Sequence, residues 1–417
     1  MKIINVSARE IFDSRGYPTI ECQIVLENNS FVVASVPSGM SKSAHEAVEL
    51  RDGGTRLSGL GVEKAIEIIE NVITPQILGK EPDMVSTDLW MIDLDGTEDK
   101  SKLGTNTMLA VSIALCKAQA YVNGIEPFEF IAHLCDFESV TLPVPMFNII
   151  NGGVHADNNL MIQEFMVIPT GRRNFKLCLE AATTVYHQLK YLLQHKGKRI
   201  AVGQEGGFAP DLENEEEALD LLMEAIRLSG DEQEGGFVIA LDIAASSFYD
   251  LEKKKYCWHK RKISSDTLIK KYDKLTSQYP IYSIEDGLDQ NDWDGWEVLS
   301  KKLGESIHLV GDDIFATNPY RIAHGIEENI ADSAIIKPNQ IGTLTETLQA
   351  IKLCKEHNMN TIISHRSGET NDAFIVDLAV GVSANHIKAG GCSRGERLAK
   401  YNRMLQIEDS LVMSLLS

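Results

Sequence analysis

The run Phe237-Val238-Ile239-Ala240-Leu241-Asp242 is apolar until its last residue, which is an acid. The pattern returns along the chain. Ile281-Tyr282-Ser283-Ile284 leads to Glu285, and Ile307-His308-Leu309-Val310-Gly311 leads to Asp312. Ala334-Ile335-Ile336 stops on Lys337, Thr361-Ile362-Ile363-Ser364 on His365-Arg366-Ser367, and His386-Ile387 on Lys388. Short apolar runs of this kind read as strands buried in a parallel sheet. From 285 through 312, 337 and 365 to 388 the steps are 27, 25, 28 and 23 residues. One strand, one helix and two loops need roughly 25–30. The spacing predicts a β/α barrel whose polar end residues all open on the C-terminal face, where barrel active sites lie. Three carboxylates from separate strands make a hard-oxygen cage suited to Mg²⁺. A lysine beside a divalent metal can be held neutral and act as a base. Any one of these charges has a plainer reading as a strand-end cap; six in register favour a pocket.

A chain of 417 residues is long enough for a barrel plus a further domain. It is 43% hydrophobic and 24% charged, with a net charge of −20. That balance argues against nucleic acid or an anionic membrane as a partner. It does not exclude an anionic substrate, because metal can neutralise the acids of a pocket. The seven cysteines are scattered, odd in number and never paired as CxxC. They are read as reduced thiols in a cytoplasmic protein, not as a disulfide frame or zinc site. No apolar stretch reaches membrane-spanning length, and Met1-Lys2-Ile3-Ile4-Asn5 does not read as a signal peptide.

Upstream of the barrel, residues 2–37 alternate in short apolar runs separated by Ser14-Arg15-Gly16-Tyr17-Pro18 and Glu27-Asn28-Asn29, which predicts a three-stranded antiparallel meander. Pro37-Ser38-Gly39-Met40-Ser41-Lys42-Ser43 reads as a mobile loop rich in small polar residues. From 43 to 133 the apolar spacing is helical. An α+β domain is therefore expected over 1–137 and the barrel over 138–417. Met146 to Gly153 and Gln163 to Pro169 read as two strands with no helix between, so the barrel is expected to start with a hairpin. Two helices, about 173–195 and 215–229, come next. Between them Glu205 lies in Gly203-Gln204-Glu205-Gly206-Gly207, where a lone acid is more often a solvated turn residue. The basic runs within 249–264 read as an exposed hairpin.

These residues also resemble a known family. Asp13-Ser14-Arg15-Gly16, Asn148-Ile149-Ile150-Asn151-Gly152-Gly153, His155-Ala156-Asp157-Asn158-Asn159, Ser283-Ile284-Glu285-Asp286-Gly287, Lys337-Pro338-Asn339-Gln340-Ile341-Gly342 and Ser364-His365-Arg366-Ser367-Gly368-Glu369-Thr370 stand in the order found in enolases. The resemblance covers essentially the whole chain. It implies an α+β domain on a modified barrel with a ββαα start. It also implies Mg²⁺-dependent dehydration of 2-phosphoglycerate to phosphoenolpyruvate through an enolate, in a cytoplasmic homodimer with two Mg²⁺ per site. By position, Asp242, Glu285 and Asp312 match the ligands of the first Mg²⁺, and Ser41 joins the second. Lys337 matches the base and Glu205 the acid, with Glu164 and Gln163 supporting the acid side. His155 and His365 match the histidines that close the pocket. Arg366 and Ser367 match phosphate contacts and Lys388 a carboxylate contact. The Lys337 pKa is expected to be pushed down by metal charge and by Lys388.

Against the family's usual Ser-Gly-Ala-Ser-Thr-Gly, the loop carries Met40, Lys42 and Ser43, and Gln204 replaces the acid that usually precedes Glu205. Loss of that neighbour should make Glu205 easier to ionise. Two alternatives to the enolase reaction stay open. One is a paralogue that dehydrates a modified substrate such as a phosphonate analogue, as carboxyphosphonoenolpyruvate synthase does. The other is a non-catalytic binding protein with the enolase fold.

Overall fold

The computed structural model describes residues 1–39, 43–137, 139–172, 174–230 and 236–416. Strands β1 (Ile3–Phe12), β2 (Pro18–Leu26) and β3 (Phe31–Ser35) form the expected antiparallel meander, in the order β1-β2-β3. Its first turn is built by Asp13, whose Oδ1 accepts the backbone N–H of Arg15 at 2.8 Å and of Tyr17 at 3.0 Å. An acid that bonds to backbone two residues on closes a turn locally. Ile20, Cys22, Ile24 and Leu26 alternate on the buried face of β2. That face packs against the helix Thr105–Asn123.

Eight strands close into a barrel: β4 (Val144–Asn151), β5 (Glu164–Pro169), β6 (Phe237–Asp242), β10 (Ile281–Glu285), β11 (His308–Gly311), β12 (Ser333–Ile336), β13 (Asn360–Ser364) and β14 (His386–Lys388). The short strands β7 (Tyr249–Asp250), β8 (Lys255–Trp258) and β9 (Arg261–Ile263) carry the basic runs as a separate antiparallel sheet. The hairpin start is present. No helix of eight or more residues separates β4 from β5, and β5 pairs antiparallel with both β4 and β6. The helices Phe175–His195 and Glu215–Ser229 then lead from β5 to β6. Met146, Met166, Ile168, Ala240, Val310, Ile335 and Ile362 form one cluster, contributed by six of the eight strands. These side chains fill the barrel, so a ligand must sit at its mouth.

The N-terminal domain grips the barrel close to that mouth. Ser38 and Gly368 exchange backbone hydrogen bonds at 2.9 and 3.0 Å. Thr105 Oγ1 donates to the carbonyl of Asn339 at 2.9 Å, and Ala47 N–H to that of Gln340 at 2.8 Å. Asp88 and Ser112 accept from the first backbone N–H groups of the barrel helix Leu344–Glu356. Among the described residues no single helix is long and apolar enough to cross a membrane.

Candidate active site

The ends of the barrel strands meet as the spacing predicts. In the parallel ladder Glu285 stands beside Asp242, and Ser364 beside Lys388. Because β5 is reversed, its first residue, Glu164, reaches the mouth where the other strands end, opposite Asp242. One pocket is lined by His155, Gln163, Glu164, Glu205, Asp242, Asp312, Lys337, His365, Arg366, Ser367 and Lys388. Glu285 joins them through Lys388, whose Nζ lies 2.9 Å from both Glu285 oxygens, 3.0 Å from Asp242 Oδ2 and 3.1 Å from Glu164 Oε1. Ser41, with Met40 and Lys42, lies outside the described residues.

The lysines are strongly charged here. Burial pulls Lys388 down, but Asp242, Glu164 and Glu285 hold it well above the ordinary lysine value. Burial above all, with Arg366 and Lys388, lowers Lys337, but Asp312, with which it is ion-paired, and Glu285 raise it, and the net shift is upward. Among the protein's own groups Lys388 acts in the expected direction, while Asp312, in direct contact, and Glu285 act against it.

Glu205 is not a solvated turn residue. It is 2% exposed. Gly206 and Gly391 pack where side chains would collide, with a Cβ on Gly391 falling 2.5 Å from the Asn148 carbonyl oxygen. His155 Nδ1 lies 3.2 Å from Glu205 Oε2 and His365 Nε2 lies 3.7 Å from Oε1. Asn148 Nδ2 donates to Oε2 at 3.1 Å. Burial pushes the Glu205 carboxyl up, but His155, His365 and Arg397 bring it well below the usual range. Glu164 moves the other way, raised by burial and by Glu205. Ligand atoms of His155, Glu164 and Glu205 lie within 4.8 Å of one another. Two carboxyls so close titrate together, and their shifts run in opposite directions. His365 is held neutral, first by burial, and its Nδ1 accepts from Arg397 at 2.6 Å.

The acids fit a hard cation. Asp242, Glu285 and Asp312 end three adjacent strands and offer only oxygen donors. Among the described residues Gln163 Oε1 and Glu164 Oε2 are buried there with no hydrogen-bond partner, as expected of groups that face a ligand. The second close acid cluster, Asp286, Asp312 and Asp313, is less suited. Both Asp286 oxygens already accept backbone N–H groups, from Asp312 at 2.9 Å and Asp313 at 2.8 Å.

Several residues of the site gave no sequence signal of their own. Asn148 was visible only as part of a longer string. Gln340 donates to Asp312 Oδ1 at 3.1 Å while accepting from Thr317 at 2.7 Å. Glu46, from the N-terminal domain, forks onto Arg366 with contacts of 3.0 and 3.1 Å. Only an acid just beyond the small-residue loop could have hinted at it. The family model described as Enolase, N-terminal domain, matches residues 3–131, and that described as Enolase, C-terminal TIM barrel domain, matches residues 139–415. With both domains matched across nearly its full length and the strand-end acids gathered at one mouth, the chain belongs to the enolase family.

Proposed function

We propose that this protein is a hydro-lyase that converts 2-phosphoglycerate to phosphoenolpyruvate and water, with two Mg²⁺ per site. The observation that carries the reading is the convergence on one pocket of buried Lys388, partly buried Lys337, the buried carboxyls of Glu164 and Glu205, and a buried arginine, Arg366. Each end of a phosphorylated 3-hydroxy acid then has a counterpart. Arg366 and Ser367 take the phosphate, with charge-assisted hydrogen bonds from the guanidinium. Lys388 takes the carboxylate. Lys337, once deprotonated, removes the C2 proton. Electrons from that C–H bond first move onto the carboxylate as an enolate, and then form the C2–C3 double bond as the C3–O bond breaks. The departing hydroxyl takes its proton from the Glu164–Glu205 pair, with Glu205 as the donor, and leaves as water. Mg²⁺ on Asp242, Glu285, Asp312 and Ser41 would supply positive charge for the enolate and draw on the Asp312 charge that otherwise keeps Lys337 protonated. Cytoplasmic location and a homodimer are part of the same reading.

The modified-substrate alternative has one structural point in its favour. Glu205 is lowered well below the usual range, by His155, His365 and Arg397, the direction in which loss of an acid at Gln204 would also act. The opposite shift of Glu164 bears on that point within the enolase reaction, since the two carboxyls are coupled and Glu164 is raised where Glu205 is lowered.

Exchange of the C2 hydrogen of 2-phosphoglycerate with deuterated water separates the roles. Lys337→Ala should abolish exchange and keep Mg²⁺ binding. Glu205→Gln should block dehydration and keep exchange. Exchange surviving in Lys337→Ala would assign the base elsewhere.

A further inference from the structure

The geometry points to Glu46 as a specificity-determining residue: it is a resident counter-ion on Arg366 with which any phosphate must compete. Arg366 is buried, with its side chain 3% exposed, and a buried guanidinium needs a partner. Glu46, its side chain 6% exposed, supplies one. Its Oε2 accepts from Arg366 Nη1 at 3.0 Å and its Oε1 from Nη2 at 3.1 Å, the fork-on-fork arrangement. Asn339 Oδ1 accepts from Nη1 at 3.0 Å as well.

Neither partner is free to drift. Glu46 Oε1 also accepts from Ser43 N–H at 3.2 Å and from Gln340 Nε2 at 3.3 Å. On the other side, the backbone of Gly39 presses on the guanidinium: a Cβ there would fall 1.8 Å from Arg366 Nη2. Glu46 and Asn339 hold Arg366 in place, and an arriving phosphate meets a guanidinium whose charge Glu46 already balances.

The consequence is a filter. A ligand that offers only a phosphate meets the repulsion of Glu46 and gains nothing at Lys388. A ligand with a carboxylate at the far end offsets the repulsion there. Specificity of this kind comes from a built-in repulsive element as much as from attraction. The inference rests on the reading of Arg366 as the phosphate contact.

The test is binding of inorganic phosphate to the full-length protein, by calorimetry and by its competition with 2-phosphoglycerate. Glu46→Gln keeps the size and removes the charge; it should tighten phosphate at least tenfold. Glu46→Asp keeps the charge and should stay within threefold of the parent protein. Unchanged or weaker phosphate binding in Glu46→Gln would overturn the inference. Arg366→Gln is measured in parallel. Phosphate binding lost in Arg366→Gln but unchanged in Glu46→Gln would refute the filter and keep the Arg366 assignment. Tightening that persists when Glu46→Gln and Arg366→Gln are combined would refute both.

Discussion

Glu164 stands directly opposite Asp242 in the antiparallel pair of β5 and β6. One is the first residue of its strand and the other the last. They meet only because β5 runs backwards, so that a strand beginning and a strand end share one mouth. The reversal places Glu164 where a parallel strand would have put its final residue. It also lets Lys388 bond carboxylates from three strands at once.

That arrangement makes Lys388 structural as well as chemical. Replacing it leaves Glu164, Asp242 and Glu285 buried at 1–4% side-chain exposure without their common cation. Breaking a buried ion pair costs about 3–5 kcal/mol. Lys388→Met should therefore melt well below the parent protein in EDTA, and Mg²⁺ should restore more stability to the variant than to the parent. Paired thermal melts with and without Mg²⁺ check this; an equal Mg²⁺ effect on both would refute it.

The barrel was legible because its strands announce themselves twice, as apolar runs and by the polar residue that ends each one. The same signal located Asp242, Glu285, Asp312, Lys337 and Lys388 without any structure. Glu205 was not legible in this way. Its neighbours are glycines, and the packing of Gly391 and Gly206 that buries it brings together segments nearly 190 residues apart. Glu46 and Gln340 escaped for the same reason: their partners lie in other elements, and nothing local in sequence encodes a hydrogen bond across a domain interface. For Lys337, spacing showed that Lys388 shares the pocket and lowers it, but not that Asp312 is in direct contact and raises it.

A pH-dependent clasp joins the domains. Asp88 Oδ2 accepts from Ser112 Oγ at 2.9 Å, Thr345 N–H at 3.1 Å and Thr345 Oγ1 at 2.8 Å, while Oδ1 has no partner among the described residues. Burial outweighs these donors and pushes the carboxyl from 3.8 up to about 7. A raised folded-state value means that stability from protonated Asp88 is complete below about pH 4 and is lost as pH rises through 7. Asp88→Asn keeps an acceptor and cannot ionise. Its stability relative to the parent should rise by about 2–3 kcal/mol between pH 5 and pH 8. Denaturant unfolding at the two pH values measures this; a constant difference would contradict it.

If the chain acts on 2-phosphoglycerate as it stands, the departures at Lys42 and Gln204 are compatible changes. Restoring the usual residues in Lys42→Thr with Gln204→Asp should alter kcat/KM for 2-phosphoglycerate by no more than about threefold, under 1 kcal/mol of transition-state stabilisation. A gain of a hundredfold would mean that the site is tuned to a different acid.

The most direct measurement follows the ultraviolet absorbance of phosphoenolpyruvate when the purified protein meets 2-phosphoglycerate and Mg²⁺. Turnover of about 10 s⁻¹ or more, ordinary for an enzyme on its own substrate, is the expected result. A rate hundreds of times lower, with Mg²⁺ binding intact, would contradict the assignment and leave the chemistry in place for another substrate.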